Sequence, residues 1–169
     1  GGHGTGMAGL IAAHGRGKSG VLGIAPKAKI LPIRDSIRKN SGKSADTVAG
    51  IHWAISQNAD VINISGAMPP SIELQEAIDE AFDADIVVVA AAGNRPGDFL
   101  VQYPAAIDGV VAVGSVDRRG NHSDNSVTGD KLVIAAPGVD IVSTTKGGKY
   151  SKSNGTSNAT GIVSGAVAL

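Results

Sequence analysis

Apolar residues in this chain recur at two periods, and together they mark out alternating strands and helices. Ile86-Val87-Val88-Val89-Ala90-Ala91 is apolar at every position, as in a strand of a parallel sheet covered on both faces. Val110 to Gly114 has the same character. Asp60 to Ile64 predicts a shorter strand, and Leu132 to Ala135 another before Pro137-Gly138. Ala28 to Arg34 also reads as a strand, with Pro32 restricting it to an edge or bulged site. Between these runs, Ala45 to Asn58 places Val48, Ile51, Ala54 and Ile55 at helical spacing. Ile72 to Ala84 is amphipathic, with Glu73, Glu76, Asp79, Glu80 and Asp83 forming a solvated face. Gly1 to His14 predicts a helix buried on most sides, with His3 at its mouth. At the other end a small-residue turn, Asn154-Gly155-Thr156, leads into an Ala, Val, Ile and Gly run that reads as a buried helix, with Ser157 at the junction. Gly15 to Gly20 and Ser36 to Lys43 read as loops. The alternation predicts an α/β layered fold with a mainly parallel sheet.

Composition sharpens this picture in two places. Hydrophobic residues are 42% of the chain but aromatics only 3%, and there are 24 glycines. The core must be built from Val, Ile, Leu and Ala, with glycine where backbones turn or approach closely. Fifteen basic and fifteen acidic residues give a net charge of zero, which removes any electrostatic case for a nucleic-acid partner. There is no cysteine, so disulfides and thiolate metal sites are excluded. No apolar run approaches the length of a membrane span, and the chain does not open with a signal peptide. It opens on Gly1-Gly2-His3, inside what reads as a motif, and closes inside a helix, so the expectation is a single partial domain over residues 1–169. Gly15-Arg16-Gly17-Lys18-Ser19-Gly20 lacks the spacing of a phosphate loop and follows a helix instead of a strand.

The chemistry follows from where the strands end. In open parallel sheets, ligands sit beyond the carboxyl ends of the strands. Ser65-Gly66-Ala67 and Gly93-Asn94 both follow directly after strands, and His3 and Ser157 stand at helix starts facing the same rim. A serine at a helix N-terminus meets backbone N–H groups that have no helical partner, a ready place for a developing oxyanion. The carboxamide of Asn94 is a natural second donor. Histidine is the base able to take the serine proton near neutral pH. The reading is acyl transfer by a serine nucleophile.

Gly2-His3-Gly4-Thr5-Gly6-Met7-Ala8-Gly9, Ala92-Gly93-Asn94 and Gly155-Thr156-Ser157 resemble the histidine, oxyanion and serine motifs of the subtilisin-like serine proteases, in that family's order. Gly23-Ile24-Ala25-Pro26, Asp60 to Ser65 and Ala135-Ala136-Pro137-Gly138 resemble family sequence between the motifs. The resemblance covers essentially the whole chain. It implies a three-layer sandwich, incomplete at the N-terminus, and a serine endopeptidase in which His3 is the general base, Ser157 the nucleophile and Asn94 an oxyanion donor. It further implies that Ser65, Gly66, Ala67 and Gly93 flank a protein or peptide substrate that adds to the sheet edge as a strand. The implied enzyme needs no cofactor and is extracellular or at the cell surface, with any propeptide or membrane anchor outside these residues. Tyr103-Pro104 matches a position where the family tends to have a cis peptide.

Departures from the pattern also carry expectations. The family's catalytic aspartate precedes the histidine in an Asp-Ser/Thr-Gly motif, and Asp35, Asp46, Asp60 and Asp85 all follow His3 without that context. The aspartate is therefore expected outside this chain. Gly161-Ile162 stands where the family usually has Pro-His, Gly6 replaces a residue that is often histidine, and the serine motif looks similar to that of actinobacterial mycosin-type subtilases. The loop after the first helix carries Arg16 and Lys18 and lacks calcium ligands, so no metal site is expected there. The rival readings are a catalytically inactive subtilase-fold module used for binding or assembly, and a nucleotide-binding α/β domain. The second lacks the glycine-rich turn after its first strand.

Overall fold

The computed structural model of this chain describes residues 2–15, 20–35, 44–95, 97 and 99–169. Four strands, β1 (Val61–Ile64), β2 (Val87–Ala91), β3 (Val111–Val116) and β4 (Ile134–Pro137), pair in parallel in the order β1-β2-β3-β4. Side chains alternate across this sheet, so each strand feeds two cores. Val88 and Ala90 of β2, together with Ala92, turn to one face, and Val89 turns to the other.

The first face is covered by α2 (Ser44–Ser56) and α3 (Ile72–Asp83). In α3 the buried residues are Leu74, Ala77, Ile78 and Ala81, the spacing of one helical stripe. Ser71 starts that helix by accepting the Leu74 N–H at 3.2 Å, which satisfies a donor with no helical acceptor. The second face is covered by α4 (Thr156–Val167), whose Ala159 and Val163 rest on Val89, Val113 and Ala136. The result is an α/β sandwich of three layers.

Helix α1 (Gly2–Ala12) lies against α4 where glycines remove side chains. A Cβ on Gly161 would touch Leu10 at 3.4 Å and the Met7 carbonyl at 3.6 Å, and one on Gly165 would stand 3.5 Å from the Ile11 Cα. Contacts therefore advance along both helices together. The two run in the same direction and share one end, which carries His3 on α1 and Ser157 on α4.

Two features differ from the sequence pattern. Ala28–Arg34 forms no strand: it has no ladder partner among the described residues, and Ile30, Leu31 and Ile33 are about 40% exposed. Pro32 contributes no N–H, and the four-stranded sheet ends at β1. Conversely, β5 (Ile141–Thr145) and β6 (Lys149–Ser153) form an antiparallel hairpin that the apolar pattern does not announce. Every residue of β6 is exposed, so no hydrophobic alternation marks it. The cue is Lys146-Gly147-Gly148, where both glycines take positive φ, 74° and 69°. The interior of the predicted Gly15–Gly20 loop and the Ser36–Lys43 loop lie outside the described residues. Tyr103-Pro104 is cis.

Candidate active site

Ser157 occupies the first turn of α4 and is half-buried. Its hydroxyl donates to the Ser65 carbonyl at 3.2 Å, and the Ser65 hydroxyl donates back to the Ser157 carbonyl at 3.3 Å. The residue that follows β1 is thus clasped to the residue that opens α4. Gly155 precedes the helix with φ 144° and gives it no side-chain cap. Gly155 also leaves room for a neighbour, since a Cβ there would come within 3.2 Å of Asn94 Oδ1.

Asn94 takes over the capping. Its Oδ1 accepts from the Thr156 N–H at 2.8 Å and from the Thr156 hydroxyl at 3.1 Å. With the oxygen held on Thr156, the amide is fixed in orientation and its NH2 end remains as a donor. The Ser157 N–H is one of the first-turn donors that the helix itself cannot satisfy. Asn94 is bonded to Thr156, the residue before Ser157, so both donors belong to one helix mouth, a layout suited to stabilising negative charge on an oxygen.

Gly93 sits directly before Asn94. It is buried, its N–H donates to Thr156 Oγ1 at 3.4 Å, and its carbonyl accepts from Val127 N at 3.1 Å. Its φ of +117°, and a Cβ that would sit 2.7 Å from Gln102, reserve the position for glycine. Its contribution is to aim Asn94. Gly66 and Ala67 are exposed, and a Cβ on Gly66 would meet nothing within 4 Å, so this stretch of backbone is open to a ligand. Met68 closes it by pairing with Tyr103.

His3 lies in the first turn of α1 and is exposed. The parallel packing of α1 on α4 puts it at the Ser157 end of the helix pair, and among the described residues no hydrogen bond joins the two side chains. Catalytic hydrogen bonds in ligand-free structures are commonly long and tighten when substrate binds. Asp60 and Asp85 precede β1 and β2, at the opposite end of the sheet from Ser65 and Asn94, so neither reaches this helix mouth.

Thr156 and Asn63 also take part, with no pattern in the sequence that marks their roles. Thr156 is fully buried and links Gly93 to Asn94. Asn63 accepts from the Ser164 hydroxyl at 2.9 Å and donates to Ser65 Oγ at 3.0 Å, tying the middle of α4 to the loop beside Ser157. The available signal was a carboxamide inside an otherwise apolar strand, Val61-Ile62-Asn63-Ile64. A half-buried carboxamide among apolar neighbours calls for hydrogen-bond partners.

Comparison with known families matches the subtilase family, Peptidase_S8, over residues 1–169. The chain belongs to the subtilase family. Subtilisin DY from Bacillus licheniformis is 42% identical over 172 residues, covering 99% of this chain and 62% of that protein. Subtilisin E from Bacillus subtilis (strain 168) is 43% identical over 171 residues, covering 99% of this chain and 45% of its own length. Among solved structures, the prenylagaramide maturation protease PagA superposes with a TM-score of 0.89 at 32% identity, covering 99% of this chain and 63% of that one. A cold adapted subtilisin-like serine proteinase gives 0.87 at 32% identity, covering 97% and 59%. This subtilase chain therefore spans 62% of one of these subtilisins and 45% of the other.

Proposed function

We propose that this subtilase chain is the part of a serine endopeptidase that carries the base, the nucleophile and the oxyanion donor. Ser157 Oγ attacks the scissile carbonyl carbon while the His3 imidazole takes its proton. The carbonyl oxygen becomes an oxyanion held by the Asn94 NH2 and the Ser157 N–H. Histidinium then gives its proton to the departing amine, leaving an acyl ester on Ser157. A water activated by the same imidazole hydrolyses that ester. Substrate lies extended along Ser65, Gly66 and Ala67 and bonds through its main chain, so recognition tolerates varied sequence.

The observation that carries this reading is the Asn94 carboxamide, whose oxygen is fixed on Thr156 so that its donor end is left beside Ser157. The third triad member is assigned to a part of the protein outside residues 1–169. An aspartate there would orient the imidazole, and its loss costs roughly 10⁴-fold in turnover, a magnitude measured in other serine proteases. The enzyme is assigned to the extracellular space or the cell surface, with protein or peptide as substrate.

The test uses the complete protein. A fluorophosphonate probe and a peptide panel should show labelling and hydrolysis that both vanish in Ser157→Ala and fall at least about 10³-fold in His3→Ala. A folded wild-type protein that binds peptides without labelling or cleaving them would establish the rival reading of an inactive binding module.

A further inference from the structure

The β5–β6 hairpin touches both helices of the site. On its first strand, the Ser143 hydroxyl donates to the Gly6 carbonyl at 2.6 Å and the Thr144 hydroxyl to the Thr5 carbonyl at 2.8 Å. Those carbonyls lie two and three residues after His3. Each already serves the α1 ladder, and its second lone pair takes the hydroxyl.

Helix α1 is shaped to receive this strand. Gly2, Gly6 and Gly9 lie on one helical face, and each would meet β5 if it bore a side chain. A Cβ on Gly2 would stand 3.1 Å from Thr145 Oγ1, one on Gly6 3.5 Å from the Thr144 carbonyl, and one on Gly9 would overlap Thr144 Oγ1. A side chain at Gly9 would therefore displace the Thr144 and Ser143 hydroxyls.

The far end of the hairpin holds α4. Ser153 Oγ donates to Asn158 Oδ1 at 3.2 Å, and Asn158 Nδ2 donates to the Ser153 carbonyl at 3.0 Å. Asn158 follows Ser157 directly and is 2% exposed. At the hairpin's base, the Asp140 N–H donates to Asn154 Oδ1 at 2.6 Å, and Gly155 N donates to the Gly138 carbonyl at 2.8 Å. One rigid ladder of five residue pairs thus has the His3 helix bonded to one strand and the Ser157 turn bonded to the other.

We propose that this hairpin is a strap that sets the separation of His3 from Ser157, with Thr144, Ser143 and Asn158 as positioning residues. The proposal rests on the endopeptidase reading above. The direct α1–α4 contact through Gly161 and Gly165 is close packing without a directional bond, whereas the hydroxyl and amide bonds of the hairpin are directional and specify a register. Misplacement of reacting groups by about 1 Å costs on the order of 10²-fold in rate, so a register device has large leverage on turnover.

The experiment compares complete-protein variants by kcat, KM, fluorophosphonate labelling rate and Tm. Thr144→Val removes the hydroxyl at constant shape and Thr144→Ser restores it. Asn158→Leu unties the other end. Ile78→Val, in the core under α3, is a stability control remote from the strap. The strap predicts that kcat and labelling rate fall about 10-fold or more in Thr144→Val and Asn158→Leu. KM should stay within about twofold, Thr144→Ser should recover most of the rate, and Ile78→Val should keep full kcat. Unchanged kcat in Thr144→Val alongside an active wild type overturns the strap. A purely structural role would give a Tm loss in Thr144→Val with kcat intact, and that also overturns it. A wild type inert to probe and peptide instead defeats the endopeptidase reading.

Discussion

At Asn94 a single side chain is held by one end and offered by the other. Accepting from Thr156 N and Thr156 Oγ1 fixes the carboxamide without consuming its donors. Asn94→Ala in the complete protein is therefore expected to lower kcat about 10²–10³-fold with KM little changed, a size measured for loss of such a donor in a subtilisin and carried over to this relative. Steady-state kinetics on one peptide substrate checks it, and a change confined to KM would reassign Asn94 to ground-state binding. Thr156→Val tests the holder separately. The variant keeps the backbone N–H to Asn94 but strips Gly93 N of its acceptor inside a buried site. The expected cost is about 1–3 kcal/mol of stability, the penalty for an unsatisfied buried donor. The accompanying fall in kcat should be smaller than that of Asn94→Ala. Denaturant titration beside kinetics separates the two effects.

Elements differ in how openly the sequence announced them, for reasons visible in their burial. Helix α3 and strand β2 were legible because each buries a strict pattern: Leu74, Ala77, Ile78 and Ala81 in one, a continuous apolar run in the other. Their ends agree with the sequence reading to within a residue. The hairpin was missed because exposed Lys149-Tyr150-Ser151-Lys152-Ser153 buries nothing, and its order comes from hydrogen bonds that no hydrophobic pattern encodes. Ala28–Arg34 was overread for the opposite reason. Its apolar residues suit a strand, but a strand forms only by pairing, and the four-stranded sheet does not include this segment. Ser157 and Asn94 stand out in the sequence as candidates, whereas Thr156 meets its partners only through folding, since Gly93 and Asn94 are distant in sequence, and Asn158 is held by the nearby Ser153. The turn after β3 allows a pH test at this scale. The Asn121 side-chain and backbone N–H groups, and then the backbone N–H groups of Arg119 and Gly120, hold the Asp117 carboxyl below the usual carboxylate range. A carboxyl whose pKa is lower folded than unfolded stabilises the turn above the unfolded value and loses that contribution as pH falls through the folded one. Amide exchange at Asn121 should therefore be protected at pH 6 and accelerate, after correction for intrinsic rates, as pH drops below the ordinary aspartate range. Protection independent of pH would remove Asp117 from the turn's stability.

For the whole molecule, the sheet leaves an unanswered edge where function would be decided. Strand β1 is the last of the four parallel strands, yet the loop leaving it carries Ser65, which is bonded to Ser157. Among the described residues, the strand bonded to Ser157, the proposed nucleophile, is thus an edge strand, and edge strands carry unpaired backbone groups and fray readily. Hydrophobic surface is also uncovered at Ile30, Leu31 and Ile33, each about 40% exposed. If the remainder of the protein supplies both the covering structure and the aspartate, residues 1–169 alone should lack two things the site requires: a firm Ser65 and an oriented imidazole. The expected outcome is that the isolated 169-residue chain unfolds at low denaturant and leaves Ser157 unlabelled by fluorophosphonate, while the complete protein labels under the same conditions. Labelling of the isolated chain at a rate near that of the complete protein would show that His3, Asn94 and Ser157 suffice. The aspartate would then be dispensable, and the catalytic geometry would be set entirely by the α1, α4 and hairpin contacts described above.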